Sequence, residues 1–231
     1  LNKIREHDLD SALFSLLNTR VLRGSEALHD DGIITLTTTN DAAFRKNKFC
    51  LDRLSAKSYA YAASITGNFE PSTFPTESLL ELKKGAQVML IRNDPEKRWV
   101  NGTLGKVSAV TEQKVCVEIN GVSYEVEPET WQNVQYHYNR ETNRIEEQVM
   151  GTFTQYPLRL AWAITIHKSQ GQTFDNVLID LGRGAFAHGQ TYVALSRCRS
   201  LHGIRFSRPV TVRDILFDER VYGFREVFPA V

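Results

Sequence analysis

The sequence predicts an α/β domain with a parallel sheet, interrupted by a small β-barrel. Three observations carry that expectation. A short β-rich run, Ile33-Ile34-Thr35-Leu36-Thr37, leads straight into the helix-capping residues Thr38-Thr39-Asn40-Asp41 and then a helical stretch, the order of an α/β unit. From Asn93 to about Thr154 the chain turns to short strands joined by turn residues, which suits a small barrel rather than a parallel sheet. After Pro157 near-continuous apolar runs return, among them Val177-Leu178-Ile179-Asp180-Leu181, the pattern of a strand buried on both faces. The expected limits are residues 1–92 and 156–231 for the α/β domain and 93–155 for the barrel.

Taken in order, Asp10 to Leu22 reads as an amphipathic helix. Leu13, Leu16, Leu17 and Val21 share a face, Asp10 or Ser11 caps the start, and Gly24 ends it. Asp30-Asp31-Gly32 is a turn into the first strand. The helix after Asp41 runs to Leu54, with Ala42, Ala43, Phe44 and Leu51 between basic residues. Ser64 to Ser78 holds Pro71 and Pro75 and reads as a loop; Leu79 to Gly85 then precedes the apolar run Gln87 to Ile91. Val115 to Ile119, Asn120-Gly121 and Val122 to Val126 form a hairpin, because Asn-Gly readily takes the positive φ angles of a two-residue turn. Val134, Tyr136 and Tyr138 alternate, Glu141-Thr142-Asn143 turns, and Ile145 to Phe153 continues as strand. Leu158 to Ile166 is apolar apart from Arg159 and Thr165. Gly189 to Arg199 is a helix with Tyr192, Val193 and Leu195 partly inward; Ile204 to Phe206 and Val210 to Val212 are the last strands. No repeat or low-complexity segment occurs.

The 231 residues suit one large domain, or one with a small insertion, and 42% hydrophobic against 24% charged residues leaves enough apolar surface for a core. A net charge of +1 does not advertise nucleic-acid binding but leaves it open, since what matters is where positive charge sits. Cys50, Cys116 and Cys198 are too far apart for metal-ligand spacing or a disulfide framework, so reduced thiols are expected. No apolar run approaches the roughly 20 residues of a membrane span. The start, Leu1-Asn2-Lys3-Ile4, has no initiator Met and no signal-peptide pattern, and the chain reads as a segment of a longer, monomeric, bacterial cytoplasmic or nuclear protein.

Chemistry concentrates in two places. Thr165 to Phe174 sets Lys168, Ser169 and Thr173 beside Gly171 immediately after an apolar run; such side chains and exposed backbone N–H groups serve phosphate oxygens. A solvated helix end with a glycine cap fits the same residues. Gln190 to Arg199 carries Arg197 and Arg199, two apart and so on different sides of a helix. A guanidinium suits the γ-phosphate of a nucleotide held elsewhere, while two surface arginines are the ordinary alternative.

Resemblance bears on both. Ala161-Trp162-Ala163-Ile164-Thr165-Ile166-His167-Lys168-Ser169-Gln170-Gly171-Gln172-Thr173-Phe174-Asp175 resembles motif V of the Pif-like and RecD-like superfamily-one DNA helicases that move 5′→3′, and Tyr192-Val193-Ala194-Leu195-Ser196-Arg197-Cys198-Arg199-Ser200-Leu201 resembles their motif VI. Leu36-Thr37-Thr38-Thr39-Asn40 is similar to the family's Thr/Asn strand end, and Leu82 to Gly105 to the entry of its inserted barrel of Src-homology type. The resemblance covers most of the chain from about Ile33. It implies a RecA-like domain of P-loop NTPase type without the phosphate-loop half, paired with an N-terminal RecA-like domain that holds most of ATP and Mg²⁺. Arg197 would reach the γ-phosphate, Gln170, Gly171 and Thr173 would lie beside the nucleotide, and Thr38, Thr39, His167, Lys168 and Ser169 would meet single-stranded DNA. No Gly-x-x-x-x-Gly-Lys-Ser/Thr loop occurs, so this segment alone is expected neither to hydrolyse ATP nor to unwind DNA. The family also places an arginine before the first helix of this domain; Arg5 is near that place, at imperfect spacing.

Other residues have plainer readings. Asn101-Gly102-Thr103 reads as a tight turn rather than a glycosylation acceptor; Trp99, Trp131 and Trp162 as core; and Asp94 to Arg98 as a solvated loop. Two rival functions stay in view. One is a binding module derived from a helicase, which an intact upstream phosphate loop would rule out. The other is an RNA-directed or nuclease-associated motor.

Overall fold

The computed structural model describes residues 1–22, 32–139, 143–218 and 220. The chain divides into two compact units, Leu1–Lys48 with Trp162–Val231, and Phe49–Ala161. Among the described residues no helix is long and apolar enough to cross a membrane.

The first unit opens with α1 (Asn2–Arg5) and α2 (Ser11–Asn18). Asp10 caps α2, its carboxylate accepting the Leu13 N–H at 2.7 Å. The helix is shorter than its apolar spacing suggests. It stops at Asn18, whose side-chain amide bonds both backbone groups of Val210 at 3.1 and 2.7 Å, and Val21 enters a parallel bridge with Phe206. Gly24, Asp30 and Asp31 lie outside the described residues. The strand β1 (Ile34–Thr37) is buried throughout and leads into α3 (Asn40–Arg53), where the Thr39 hydroxyl accepts the Ala42 N–H at 3.2 Å as a cap.

The second unit is all antiparallel among its paired strands. β2 (Ser58–Ala62), β3 (Ser64–Gly67), β4 (Leu79–Lys83) and β5 (Gln87–Leu90) come before the span assigned to the barrel. They are followed by β6 (Leu104–Val110), β7 (Val115–Ile119), β8 (Val122–Val126), β9 (Glu129–Asn139), β10 (Arg144–Gln155) and β11 (Leu158–Leu160). The sheets run β11-β5-β6-β7-β8, β3-β10-β9 and β2-β4. The unit is therefore wider than residues 93–155, because β3 pairs with β10 and β5 joins β6 to β11.

Three readings are corrected here. The proline-bearing stretch 64–78 is not all loop, since Ser64–Gly67 is a strand. Asp94 is buried rather than solvated, because Arg98 binds both its carboxylate oxygens, at 2.9 and 2.6 Å, and stacks on buried Trp99. Trp131 is half-buried rather than core, under the Arg92 guanidinium. The Asn120-Gly121 turn is as expected, with φ of 50° and 80°.

The chain then returns to the first unit with β12 (Ala163–Thr165), β13 (Val177–Asp180), α4 (Gln190–Ser196) and β14 (Ile204–Phe206). The sheet order is β12-β1-β13-β14, parallel at every pairing. At the open side of β12, Asn47 of α3 bonds the N–H and carbonyl of Ala163, each at 2.8 Å, so the edge backbone is satisfied. The apolar run 158–166 is thus shared between units, and Trp162 at the change-over is half-buried rather than core. Val210 to Val212 forms no strand. A capping box between Thr211 and Asp214 closes a 3₁₀ turn there instead, taking the backbone donors a strand would need.

Asp214 organises this end of the unit. It is 2% exposed and binds Arg208 through both oxygens, at 2.5 and 2.9 Å, and Thr211 through its backbone N–H at 2.8 Å and hydroxyl at 3.0 Å. Its carbonyl accepts the Thr191 hydroxyl of α4, and Arg208 also donates to the Gly182 carbonyl at 2.8 Å. Burial pushes the Asp214 pKa up, but hydrogen bonds from Arg208 and Thr211 outweigh it and hold the carboxyl below its ordinary value. The contribution to stability is therefore present above the unfolded carboxylate pKa of about 4 and is lost as pH falls through the lower folded value. Asp214→Ala is expected to cost about 3 kcal/mol, the low end for breaking a buried pair, since Arg208 is partly in water and can rehydrate. Denaturant unfolding at pH 7 checks this, and the gap between wild type and variant should shrink on acidification below pH ~4.

Candidate functional site

Because the first unit's strands are parallel, their C-terminal ends share one edge of the sheet. Thr37, Thr165 and Asp180 lie side by side there. Connections leaving this edge are where α/β sheets place ligand-binding groups. From β1 come Thr38, half-buried, and Thr39, exposed. From β12 comes a 3₁₀ turn, His167–Ser169, locked by the Ile166 N–H to the Thr37 carbonyl at 2.9 Å and by the Lys168 N–H to the Thr165 hydroxyl at 3.2 Å. His167 and Lys168 are exposed. Ser169 departs from expectation: it is 0% exposed and donates its hydroxyl to the Ile166 carbonyl at 2.7 Å, so it braces the turn rather than facing a ligand.

The chain then crosses past β1 to reach β13, and in doing so travels to the opposite edge of the sheet. Gln170, Gly171 and Thr173 are exposed along this crossing, and Gly171 has a φ of 79°. At its far end Phe174 is buried. The Phe174 N–H donates to the Arg197 carbonyl at 2.8 Å, and its own carbonyl accepts the Arg199 N–H at 3.1 Å. Gly203 is needed beside this contact, since a Cβ there would fall 1.9 Å from the Asp175 carbonyl oxygen. The two motif segments, distant in sequence, are therefore joined through their backbones.

Arg197 caps the C-terminus of α4 and is half-buried. Its Nη1 donates to the Gln172 carbonyl at 3.2 Å, Nη2 to the Ser196 hydroxyl at 2.8 Å and Nε to the Val193 carbonyl at 3.2 Å. A guanidinium has five N–H groups, so each terminal nitrogen keeps a donor for an anion. Arg199 is exposed and faces Asp175 at 3.4 Å, consistent with the two arginines pointing apart. Arg5 bonds Glu6 at 3.2 Å and makes no described contact with Arg197.

The residues proposed from sequence thus fall into two groups. Thr38, Thr39, His167 and Lys168 share the C-terminal edge; Arg197 stands at the far end of the crossing, with Gln170, Gly171 and Thr173 on the segment between. Sequence reasoning missed two features. Gln172 supplies the carbonyl that orients Arg197, and its side-chain oxygen is buried with no hydrogen-bond partner among the described residues. The loop after β13, with Gly182, Arg183, Gly184 and Phe186, emerges at the same edge as Thr38, whose hydroxyl would be 3.8 Å from a Cβ on Gly182. The Gly-Arg-Gly sequence between strand and helix was its available signal.

Arg197 and the exposed backbone at Gly171 suit part of a nucleotide's phosphate chain; the buried Gln172 Oε1 is an acceptor and does not add to it. Among the described residues no group of three or more His, Cys, Asp or Glu is close enough to hold a metal ion.

Residues 68–110 match the family described as DNA helicase Pif1, 2B domain. The chain is 38% identical over 155 residues to the ATP-dependent DNA helicase Pif1 of Bdellovibrio bacteriovorus, covering 67% of this chain and 33% of that protein. It is 38% identical over 211 residues to human ATP-dependent DNA helicase PIF1, covering 84% of this chain and 30% of that protein. It therefore spans about a third of the length of these curated relatives. Unliganded Pif1 from a Bacteroides species superposes with a TM-score of 0.88 at 35% identity, covering 99% of this chain and 53% of that one. The Bacteroides Pif1 complex with ADP-AlF3 and single-stranded DNA gives 0.75 at 35% identity, covering 98% and 52%. By sequence and by fold this chain is Pif1-like, a C-terminal helicase domain of RecA-like type with an inserted β domain.

Proposed function

We propose that this chain is the second motor domain of an ATP-driven helicase that moves 5′→3′ along single-stranded DNA, and that the Phe49–Ala161 unit is its inserted accessory domain. The observation that carries the reading is the backbone contact between Phe174 and Arg197. It joins one connection that starts at the strand edge bearing Thr38, Thr39, His167 and Lys168 to the arginine best suited to a phosphate. Named relatives are ATP-dependent DNA helicases, and a Bacteroides relative holds ADP-AlF3 and single-stranded DNA together.

In this reading an N-terminal RecA-like domain supplies the phosphate loop and the Mg²⁺ ligands. Arg197 donates its remaining N–H groups to the γ-phosphate, which pulls on the Gln172 carbonyl and on α4. Gln170, Gly171 and Thr173 line the nucleotide. The pull passes along residues 166–174 to His167 and Lys168, which contact DNA phosphates with the Thr38 and Thr39 hydroxyls. Binding through the backbone is tolerant of sequence and sensitive to salt. Hydrolysis releases Arg197 and the edge relaxes, so the strand advances stepwise. The 231-residue segment by itself is inactive, since it carries no phosphate loop.

Two outcomes follow for the full-length protein. Arg197→Ala should lower ATP turnover by about 10³-fold or more, the scale known for arginines that reach a γ-phosphate in GTPases, while single-stranded DNA binding persists in a gel-shift assay. Turnover at the wild-type rate removes Arg197 from the phosphate. Lys168→Ala should weaken DNA binding and reduce the slope of log affinity against log salt by about one; an unchanged slope places Lys168 away from the strand.

A further inference from the structure

The loop that carries β13 into α4 exposes an aromatic ring and a cation at the same sheet edge as Thr38. Phe186 is 66% exposed. Arg183 is exposed and has no ion pair or hydrogen bond among the described residues. A single exposed apolar residue needs no explanation, but this one sits on a loop fixed at both ends. Gly182 donates its N–H to Asp180 at 3.0 Å, and its carbonyl accepts from Arg208 at 2.8 Å. The Gly184 N–H bonds the Leu181 carbonyl at 2.8 Å, and the Gly189 N–H bonds the Leu216 carbonyl at 3.0 Å. Beside the ring, the Phe186 N–H donates to the Gln190 side chain at 3.1 Å. The backbone that carries the ring is therefore braced, and the ring itself is exposed.

Charge around the loop favours an anionic partner. Arg183 adds to Lys168, which leaves the same sheet edge from β12, with β1 between the two strands. Of the nearby acids, Asp218 is ion-paired with Arg220, and Asp180 is turned to the Gly182 N–H and the Ser207 hydroxyl. An exposed aromatic and a guanidinium without a partner among the described residues, three positions apart on one loop, suit a ligand that alternates flat rings with phosphates.

We propose that Phe186 is a stacking platform for a base of single-stranded nucleic acid lying along this edge, with Arg183 on the adjacent phosphate. This rests on the function proposed above and adds a base contact to a track otherwise made of phosphate contacts. Any base offers a π-face, so the contact leaves sequence tolerance intact while requiring that bases be present.

The test uses the full-length protein, a fluorescent oligothymidylate, and the same strand with its bases removed. Phe186→Ala, at an exposed position, should weaken binding to the oligothymidylate roughly tenfold and leave binding to the abasic strand unchanged. Arg183→Ala should weaken binding to both strands alike. An equal effect of Phe186→Ala on the two strands, or none on either, overturns the proposal while the helicase reading survives. Failure of the wild-type protein to bind either strand overturns both.

Discussion

Phe174 is held by backbone bonds on both sides, and the geometry of the candidate site depends on that hold. Its N–H reaches the Arg197 carbonyl and its carbonyl takes the Arg199 N–H, which closes a short parallel ladder between the end of one connection and the end of α4. Buried backbone groups that lose their partners cost free energy with no water to compensate. Phe174 is buried, so the contact resists opening. Two of the bonds that hold Arg197 are made within α4, to Val193 and Ser196, and the third reaches across to the Gln172 carbonyl beside this attachment.

The parallel sheet sets the distance over which that attachment acts. A connection between two parallel strands must travel back from the C-terminal edge to the N-terminal edge. Residues 166–176 do so between β12 and β13, with β1 between them in the sheet. One end of the segment therefore touches whatever sits at the Thr38 edge, and the other touches whatever Arg197 holds. Ser169, buried and bonded to Ile166, braces the first turn of the segment. The Arg208–Asp214 pair does the same for the neighbouring loop, tying Gly182, Thr211 and α4 to one buried carboxylate.

Much of this was legible in the residues. The apolar core of Ile34 to Thr37 and Val177 to Asp180 announced buried parallel strands, and Asn120-Gly121 announced its hairpin because few dipeptides accept two positive φ angles. What was not legible depended on long-range pairing. Val21 leaves its helix for a bridge to Phe206, 185 positions away, and Ser64–Gly67 becomes a strand only because β10 lies beside it. Tertiary partners override local periodicity in both cases. At the site, residue types predicted which side chains could meet phosphate but not which way they face. Ser169 has the right chemistry and the wrong direction, while Phe186 drew no notice because an aromatic in sequence does not reveal its exposure.

The central claim is that the two ends of residues 166–174 move together. Hydrogen exchange at single-residue resolution measures this in the full-length protein, with a nucleotide transition-state analogue, with single-stranded DNA, and with both. The Ile166 amide, bonded to Thr37, reports the strand edge, and the Phe174 amide, bonded to Arg197, reports the nucleotide end. The account predicts that each ligand alone changes exchange at both amides, as reciprocal coupling requires. Protection confined to Ile166 with DNA and to Phe174 with nucleotide would contradict it.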